Sequence, residues 1–440
     1  MQNRINRRNF LKRSTAATAF VCAAPVVFRQ KALGNQSPNE RFVITNIGVG
    51  GMGRGDLGGN ANFGDIAAIC DVDLVRAGEA NNMSQVGGKA EIYQDYRKVL
   101  ERKDIDVVSI ATVDHWHVKI AVEAMMAGKH VFCQKPLTFT IEEDQLIRRA
   151  CQKYDRVFQV GTQQRDSKKL FLRAVRMVRK GLLGPIKNMV ASVGGAPVRG
   201  PFEITTPPET LDWDFWQGQV GVRPYRKERC HGTFRYWYEY AGGTMTDWGA
   251  HHVDIAQWAI GADQFGTGPI EIDGTDAKHP VDFKDAYPML DDRFNTSNDY
   301  DIVCKYASGT TLHVTSRGNN GILIEGEKGR IFVNRERITG KPIEEEWDKD
   351  LPEEGYVDLF KGKPLEGHKA NFFRCIREGG LPVSDAFSHV QTMNTCHLCA
   401  IAARLGRVIK WDPKTETFGD EQAQTFFGRE QRKGFELPKV

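Results

Sequence analysis

One stretch decides the fold of this chain: Phe42-Val43-Ile44-Thr45-Asn46-Ile47-Gly48-Val49-Gly50-Gly51-Met52-Gly53. Its first six residues are rich in β-branched side chains, which favours a strand. The glycines that follow have the spacing Gly48-x-Gly50-x-x-Gly53. Such a triplet lets the turn tighten, lets the backbone approach a pyrophosphate, and lets the next helix pack closely against the strand. The stretch therefore predicts a strand, a nucleotide-binding turn and a helix.

A second apolar strand, residues 66–70, supports this interpretation because it ends in an acid. Asp71 lies 18 residues after the last glycine of the triplet. An acid at this position hydrogen-bonds the adenosine ribose hydroxyls and repels a 2′-phosphate. The spacing therefore favours NAD over NADP as the cofactor.

Strand and helix patterns then alternate as far as about residue 165. The predicted strands are residues 107–111, 131–133 and 157–161, and the predicted helices are residues 96–102, 118–127 and 145–154. This alternation predicts a doubly wound parallel sheet, in which ligands bind at the carboxyl ends of the strands. Three polar segments follow those ends and are candidates for the site: residues 112–117, 134–136 and 162–165.

The pattern changes after this point, which predicts a second domain. A helix at 169–180 and a long strand at 186–193 precede a loop at 194–235 that is rich in aromatic residues. Strands at 300–306, 310–315, 322–327 and 329–333 are joined by short turns and predict an antiparallel meander, followed by helices at 371–378 and 388–405. We expect an α/β protein with a Rossmann domain (41–165) and a C-terminal α+β domain (166–440) for substrate binding and oligomerisation, built on a large, mostly antiparallel open sheet.

Residues 242–258 concentrate titratable and aromatic side chains behind a glycine pair. Asp247 is predicted to cap a helix, and His251, Asp254 and Trp258 then recur on one helical face. A carboxylate beside an imidazole suits a general base. The alternative is a capped amphipathic helix whose histidines are merely hydrogen-bonded. His252 points about 100° away from His251 and is predicted to be structural.

The N-terminus predicts export. Residues 1–34 hold seven basic residues and no acid, and Asn6-Arg7-Arg8-Asn9-Phe10-Leu11-Lys12 resembles a twin-arginine signal that leads to the periplasm. The alternative is an unprocessed basic amphipathic N-terminus. The apolar run at 15–28 is short and contains Pro25, so no membrane span is predicted. Subtracting the seven basic residues from the formal charge of +4 leaves −3, which gives no indication of a nucleic-acid surface.

The nine cysteines indicate neither a disulfide framework nor a metal site. Cys396 and Cys399 form a Cys-x-x-Cys pair, but they lie inside a helical pattern with no second pair at zinc-finger spacing. Buried apolar side chains are the simpler interpretation. No metal is expected.

From residue 42 to about 411 the sequence resembles the glucose-fructose oxidoreductase and inositol dehydrogenase (Gfo/Idh/MocA) family. Four matches occur in order: the glycine triplet; Asp114-His115-Trp116-His117 with Ala127-Gly128-Lys129-His130-Val131; Gln134-Lys135-Pro136, where the family has Glu-Lys-Pro; and Asp247 with His251 in an Asp-x-x-x-His pattern. The resemblance implies a Rossmann domain joined to an α/β domain whose sheet supports homo-oligomers, dimers or tetramers. It also implies hydride transfer between a nicotinamide and a sugar or polyol hydroxyl.

The resemblance also implies roles for individual residues. The catalytic candidates are Lys135, Asp247 and His251. The cofactor-binding candidates are Gly48, Gly50, Gly51, Met52, Gly53, Asp71, Thr112, His115, His117, Gln134 and Lys135. The substrate-binding candidates are Gln164, Arg165, Trp237, Asp247 and His251.

Three functions remain open from the sequence. The first is an exported NAD-dependent oxidoreductase acting on a carbohydrate or polyol. The second is glycoside cleavage without net redox, in which a sugar hydroxyl is transiently oxidised, the leaving group is eliminated and the hydride is returned. The third is a binding protein that has lost catalysis. Gln134 replaces the family's glutamate and removes a negative charge beside Lys135, which should ease deprotonation of Lys135 or free it for substrate. In the third function, Gln134 would be the trace of lost catalysis.

Overall fold

The computed structural model describes residues 41–440. The predicted export signal at residues 1–34 lies outside the described residues. The N-terminal half is built from alternating strands and helices. In chain order they are β1 (Phe42–Ile47), α1 (Gly51–Asn60), β2 (Gly64–Cys70), α2 (Leu74–Asn81), β3 (Glu91–Tyr93), α3 (Tyr96–Glu101), β4 (Val107–Ile110), α4 (His117–Met126), β5 (His130–Cys133), α5 (Ile141–Tyr154) and β6 (Phe158–Val160).

The six strands form one parallel sheet in the order β3-β2-β1-β4-β5-β6, which confirms the predicted doubly wound sheet. The geometry of the turn between β1 and α1 explains why two of its positions are glycine. Gly48 has φ of +79°, and a Cβ there would lie 2.6 Å from the backbone of Ala111. A Cβ at Gly53 would lie 2.0 Å from the Gly48 carbonyl oxygen. Both positions therefore require glycine.

Helix α5 begins at Ile141, one turn before the predicted start at residue 145. Its N-terminus is a capping box. The Thr140 hydroxyl accepts a hydrogen bond from the Glu143 N–H, and the Glu143 carboxylate accepts one from the Phe139 N–H. The first bond satisfies a backbone donor that the helix itself leaves unpaired, and the second ties Glu143 to the residue before the cap. The Thr-x-x-Glu pattern was the sequence signal for the earlier start.

The C-terminal half contains the remaining elements. In chain order they are α6 (Arg173–Arg179), β7 (Ile186–Ser192), α7 (Trp213–Gln217), α8 (Thr244–Asp247), α9 (Gly249–Ile260), β8 (Glu271–Asp273), β9 (Ala277–Lys278), β10 (Phe283–Lys284), β11 (Tyr287–Pro288), β12 (Asp299–Lys305), β13 (Thr311–Thr315), β14 (Gly321–Gly326), β15 (Arg330–Val333), β16 (Ile338–Thr339), α10 (Lys341–Glu344), α11 (Glu354–Leu359), α12 (His368–Glu378), α13 (Ala386–Leu405), β17 (Val408–Asp412), β18 (Thr417–Phe418) and α14 (Glu421–Gln424).

The large sheet of this half is open and mostly antiparallel, as predicted. Its order is β16-β15-β14-β7-β13-β12-β8-β17-β18, with β9 paired to β12. The prediction of a simple meander was wrong, because β7 lies between β13 and β14, parallel to the first and antiparallel to the second. The five residues between β13 and β14 are enough to pass over one strand, since two strand spacings amount to about 10 Å.

Helix α13 joins the two halves. Seventeen of its twenty residues are buried, and it packs against α5 on one side and α9 on the other. One continuous hydrophobic core consequently runs through both halves. The eight cysteines of the described residues are all buried, in agreement with the interpretation of Cys396 and Cys399 as core residues. No helix formed by residues 41–440 has the length and apolar character needed to cross a membrane.

The C-terminal tail returns to the N-terminal half after α14. The Phe427 carbonyl accepts a hydrogen bond from the Glu142 N–H, and the Glu436 carbonyl accepts one from the Lys119 ammonium. The Phe435 ring meets the Trp116 ring edge-on, with centroids 5.9 Å apart. The tail therefore helps to hold the carboxyl end of β4 in place.

Candidate active site

A cavity of about 590 Å³ lies where the carboxyl ends of β1, β2, β4 and β5 face helices α8 and α9. Parallel strands bring their carboxyl ends to one edge, so the loops that follow them share this space. The cavity has two chemically different ends. One is formed by the glycine turn and the other by charged residues from both halves of the chain.

The glycine turn lines one end of the cavity with Gly48, Gly50, Gly51 and Met52. Helix α1 begins at Gly51, so its unpaired backbone N–H groups face this space. A Cβ at Gly50 would lie 2.3 Å from a guanidinium nitrogen of Arg76, so the Arg76 side chain packs directly against this glycine. A helix N-terminus with a nearby guanidinium fits a pyrophosphate.

Asp71 lines the cavity at the end of β2. Its carboxylate accepts hydrogen bonds from the backbone N–H groups of Val49, at 2.8 Å, and Asp73, at 3.0 Å. Burial raises the pKa of Asp71, and these two bonds oppose that effect. The bonds fix the carboxylate next to the glycine turn. Turn, helix and acid therefore fit a dinucleotide with an adenosine ribose at this acid.

Lys135 and Asp247 form the centre of the other end. The Lys135 ammonium lies 2.5 Å from the Asp247 carboxylate and 3.2 Å from its carbonyl oxygen. Arg235 approaches the second carboxylate oxygen at 3.5 Å. Burial alone would raise the pKa of Asp247, but Lys135 and Arg235 hold that pKa below its usual value. Asp247 is therefore ionised and positions the ammonium group.

The prediction that Asp247 caps the following helix was wrong. Asp247 is the last residue of α8, and α9 is preceded by Trp248 without a side-chain cap. The carboxylate is turned towards Lys135, because pairing a buried charge outweighs one cap bond.

His251 reaches the cavity from the first turns of α9 and is 4% exposed. Burial lowers the pKa of His251 well below its usual value, and the nearby cations Lys135 and Arg335 lower it further. The imidazole is therefore neutral. His252 is fully buried and bonds the Asn320 side chain at 3.0 Å, as expected for a structural histidine.

Asp114 lines the cavity in the turn after β4 and is 5% exposed. Within residues 41–440, neither a salt bridge nor a side-chain hydrogen bond involves its carboxyl group. Burial, together with the Asp247 charge, raises the pKa of Asp114 to about 7, although Arg235 and Lys135 oppose the shift. Asp114 is thus an acid that titrates near neutral pH beside the Lys135–Asp247 pair.

Gln134 lines the cavity, yet its amide group points towards α1. Its Nε2 donates a hydrogen bond of 2.6 Å to the Asp56 carboxylate, which also pairs with Lys369 at 3.0 Å. Asp56 is 3% exposed. A glutamate at position 134 would place a second carboxylate against Asp56. The replacement of the family's glutamate is therefore matched to a local partner, separate from the ammonium group of Lys135.

Of the predicted site residues, the structure brings Gly48, Gly50, Gly51, Met52, Asp71, Thr112, Gln134, Lys135, Asp247 and His251 to the cavity. It does not bring Gly53, His115, His117, Gln164, Arg165 or Trp237 there. Gln164 is buried, and its neighbour Gln163 lines the cavity in its place.

The two histidines of the Asp-His-Trp-His stretch support the cavity wall from behind. The His115 ring bonds the Trp216 carbonyl at 3.1 Å. The His117 ring lies between the carbonyl oxygens of Pro136, at 2.6 Å, and Thr112, at 3.2 Å. Both rings thus position loops that line the cavity.

Arg165 and Trp237 are buried elsewhere. Arg165 forms two hydrogen bonds, of 2.8 and 2.7 Å, with the Asp254 carboxylate, and both side chains are at most 1% exposed. The pair joins the turn after β6 to α9. Trp237 is fully buried, and its indole N–H donates to the Glu228 carbonyl at 2.9 Å. This bond lies within the aromatic segment, and the Trp237 ring packs edge-on against Phe294 outside it, with centroids 5.7 Å apart.

Residues 205–240, the covering segment, close the cavity from outside. Backbone hydrogen bonds of 3.0 Å tie it to the nucleotide end, from the Leu74 N–H to the Thr210 carbonyl and from the Asp212 N–H to the Val72 carbonyl. Three of its aromatic rings line the cavity: Phe215, Trp216 and Phe234. The covering segment therefore forms one wall of the cavity.

Two family models cover most of the described chain. The model for the NAD-binding Rossmann fold of an oxidoreductase family matches residues 42–162, and the model for that family's C-terminal alpha/beta domain matches residues 172–437. The chain belongs to the Gfo/Idh/MocA family. Its N-terminal half is accordingly an NAD-binding Rossmann domain, in agreement with the glycine turn and Asp71.

Curated relatives of this family member include glycosidases. The chain is 33% identical over 209 residues to glycosyl hydrolase family 109 protein 2 of Shewanella sp. (strain ANA-3), and 30% identical over 207 residues to an alpha-N-acetylgalactosaminidase of Shewanella oneidensis. Each match covers 41% of this chain and 44% of the relative. The chain therefore spans less than half the length of the curated relatives that it matches.

Solved structures of similar fold include oxidoreductases. An aldose-aldose oxidoreductase from Caulobacter crescentus, complexed with glycerol, has a TM-score of 0.58 at 18% identity, covering 84% of this chain and 100% of its own. The WlbA dehydrogenase from Bordetella pertussis, in complex with NADH and UDP-GlcNAcA, has a TM-score of 0.58 at 18% identity, covering 84% and 99%. At these identities the likeness concerns the fold alone.

Sequence reasoning missed several cavity residues of this Gfo/Idh/MocA protein. Arg76, Arg235, Trp248 and Arg335 all line the cavity. Asp114 carried a signal, because it stands at the end of a predicted strand. No sequence signal pointed to Arg335, because the turn between β15 and β16 meets α8 and α9 only in the folded chain.

Proposed function

We propose that this protein is an NAD-dependent oxidoreductase that transfers hydride between nicotinamide and a hydroxyl group of a sugar or polyol. The observation that carries the proposal is the Lys135–Asp247 pair beside a neutral His251, in the same cavity as the glycine turn. These groups provide a cation and a base, the two functions that oxidation of an alcohol requires.

The proposed roles follow from the charges. When bound, NAD supplies the hydride acceptor. The Lys135 ammonium stabilises negative charge that develops on the substrate oxygen. The neutral His251 imidazole accepts the hydroxyl proton. Asp247 holds Lys135 in position.

The proposal is tested with purified protein, NAD and a panel of free sugars and polyols. We expect NADH to form, measured by its absorbance at 340 nm, and nucleotide to co-purify with the protein. The proposal fails if the folded protein binds no nicotinamide nucleotide in an equilibrium titration. A binding protein without catalysis would instead bind nucleotide and turn over no sugar or glycoside.

A second candidate is glycoside cleavage by transient oxidation of the sugar and elimination of the leaving group, without net redox. The identity of 30–33% with family 109 glycosyl hydrolases favours it. Release of nitrophenol from nitrophenyl glycosides without NADH accumulation would support cleavage, whereas sustained NADH production on free sugars would exclude it.

Location and assembly are also proposed. The Arg7-Arg8 motif supports export of the folded protein to the periplasm by the twin-arginine route. The open sheet of the C-terminal half supports a homo-oligomer. Cell fractionation with an Arg7→Lys, Arg8→Lys double variant tests the first proposal, because retention in the cytoplasm is expected. Light scattering on a sizing column tests the second, and a monomeric mass would contradict it.

A further inference from the structure

The reaction end of the cavity contains more positive than negative charge. Three cations, Lys135, Arg235 and Arg335, line it together with two carboxyl groups, Asp114 and Asp247. Asp247 is already paired with Lys135. Burial raises the pKa of Asp114 to about 7, so at neutral pH this group is only partly ionised. A surplus of positive charge therefore faces the space beside the reacting groups.

Arg335 is the less neutralised of the two arginines. It lies in the turn between β15 and β16, and its guanidinium stands 4.7 Å above the Trp248 ring. Within residues 41–440 it takes part in neither a salt bridge nor a side-chain hydrogen bond. By contrast, Arg317 on the same sheet pairs with Asp276 and Asp299. Arg335 is exposed and lines the cavity, so its hydrogen-bond donors are available to a ligand there.

Arg235 is also incompletely satisfied. Its Nε lies 3.5 Å from the Asp247 carboxylate, a longer contact than that of Lys135, and this buried nitrogen makes no hydrogen bond within the described residues. The two arginines flank Asp247 and Trp248. The nucleotide end has its own guanidinium, Arg76, so the pyrophosphate does not account for this second pair of cations.

We propose that the substrate is an acidic sugar whose anionic group is bound by Arg335 and Arg235. A guanidinium suits a carboxylate or a sulfate ester, because its planar donors match two anionic oxygens. The Trp248 ring beside it offers an apolar surface to the sugar. This proposal rests on the proposed function and specifies its substrate class.

Binding measurements test the proposal without requiring turnover. The NADH-loaded protein is titrated with glucuronate, galacturonate and glucose 6-sulfate, and with glucose and galactose as neutral counterparts. We expect at least one acid to bind about tenfold tighter than its neutral counterpart, the effect of one charge-assisted pair in a partly exposed site. The carboxylate and sulfate arms show which anion the site prefers.

Variants locate the effect. Arg335→Gln should reduce the affinity for the acid to that for the neutral sugar, and Arg335→Lys should restore part of it, because the charge returns without the planar fork. Arg337→Gln is the matched control. Arg337 is exposed in the same turn and does not line the cavity. It should leave the preference unchanged.

The proposal is overturned if no acid binds more tightly than its neutral counterpart, or if Arg335→Gln keeps the full preference. If acidic and neutral sugars bind equally, Arg335 and Arg235 serve only to lower the pKa of the sugar hydroxyl. NADH binding to the protein alone is measured in parallel. If the protein does not bind NADH, the proposed function is contradicted. If it binds NADH but shows no preference for acidic sugars, only the proposed substrate class is contradicted.

Discussion

Replacing Asp114 by Asn should stabilise the protein at neutral and alkaline pH. The carboxyl group is 5% exposed, lies near Asp247, and has no hydrogen-bond partner among residues 41–440. Asn has nearly the same shape and carries no charge. The variant therefore removes a buried charge without opening a cavity in the core.

The magnitude follows from the two pKa values. The pKa of the Asp114 carboxyl group is 3.8 when unperturbed and about 7 in the folded protein. Between these values the folded chain holds a proton that the unfolded chain has lost, so stability falls as pH rises. The cost reaches at most about 4 kcal/mol above pH 7, since each pH unit is worth about 1.4 kcal/mol.

The assay is urea unfolding of wild type and Asp114→Asn at pH 5 and at pH 8. The advantage of the variant should grow by about 2–3 kcal/mol between the two conditions. Asp350→Asn, at an exposed position, is the control and should show no such growth. An Asp114→Asn variant whose stability relative to wild type is the same at both pH values would refute the reasoning.

Three further variants test other parts of the site. Lys135→Met should lower kcat by about 10²–10³-fold with NAD affinity retained, because it removes stabilisation of the developing oxyanion; unchanged kcat would contradict that role. Arg165→Leu should cost about 3–5 kcal/mol in urea unfolding, since it leaves Asp254 buried and unpaired; a loss below 1 kcal/mol would contradict this. Gln134→Glu should cost about 1–3 kcal/mol at pH 7 and less at pH 4, because it sets a second carboxylate against Asp56; equal stability at both pH values would exclude the repulsion.

The parallel sheet could be predicted because its signals are local. The β-branched run of β1 is buried on both faces, and the glycine triplet encodes a turn with two positions that require glycine. The position of β7 between β13 and β14 could not be predicted, because strand order depends on pairing between segments that are far apart in the sequence. The meander prediction failed for that reason.

The candidate site was likewise predictable only where its sequence signals are local. Lys135, Asp247 and His251 were identified from local motifs and meet at one cavity. The predicted helix cap at Asp247 failed because its partner, Lys135, is distant in sequence. Arg165 was placed correctly at the end of a strand, but nothing local indicated that Asp254 would draw it into the core.

The most direct test of the proposed reaction centre is the His251→Ala variant, compared with His252→Ala as its neighbour in the same helix. Turnover and the dissociation constant for NAD are measured for both. We expect His251→Ala to lose turnover while binding NAD like wild type, because the base is removed and the glycine turn is untouched. His252→Ala should retain turnover. Unchanged turnover in His251→Ala would contradict the assignment of His251 as the base.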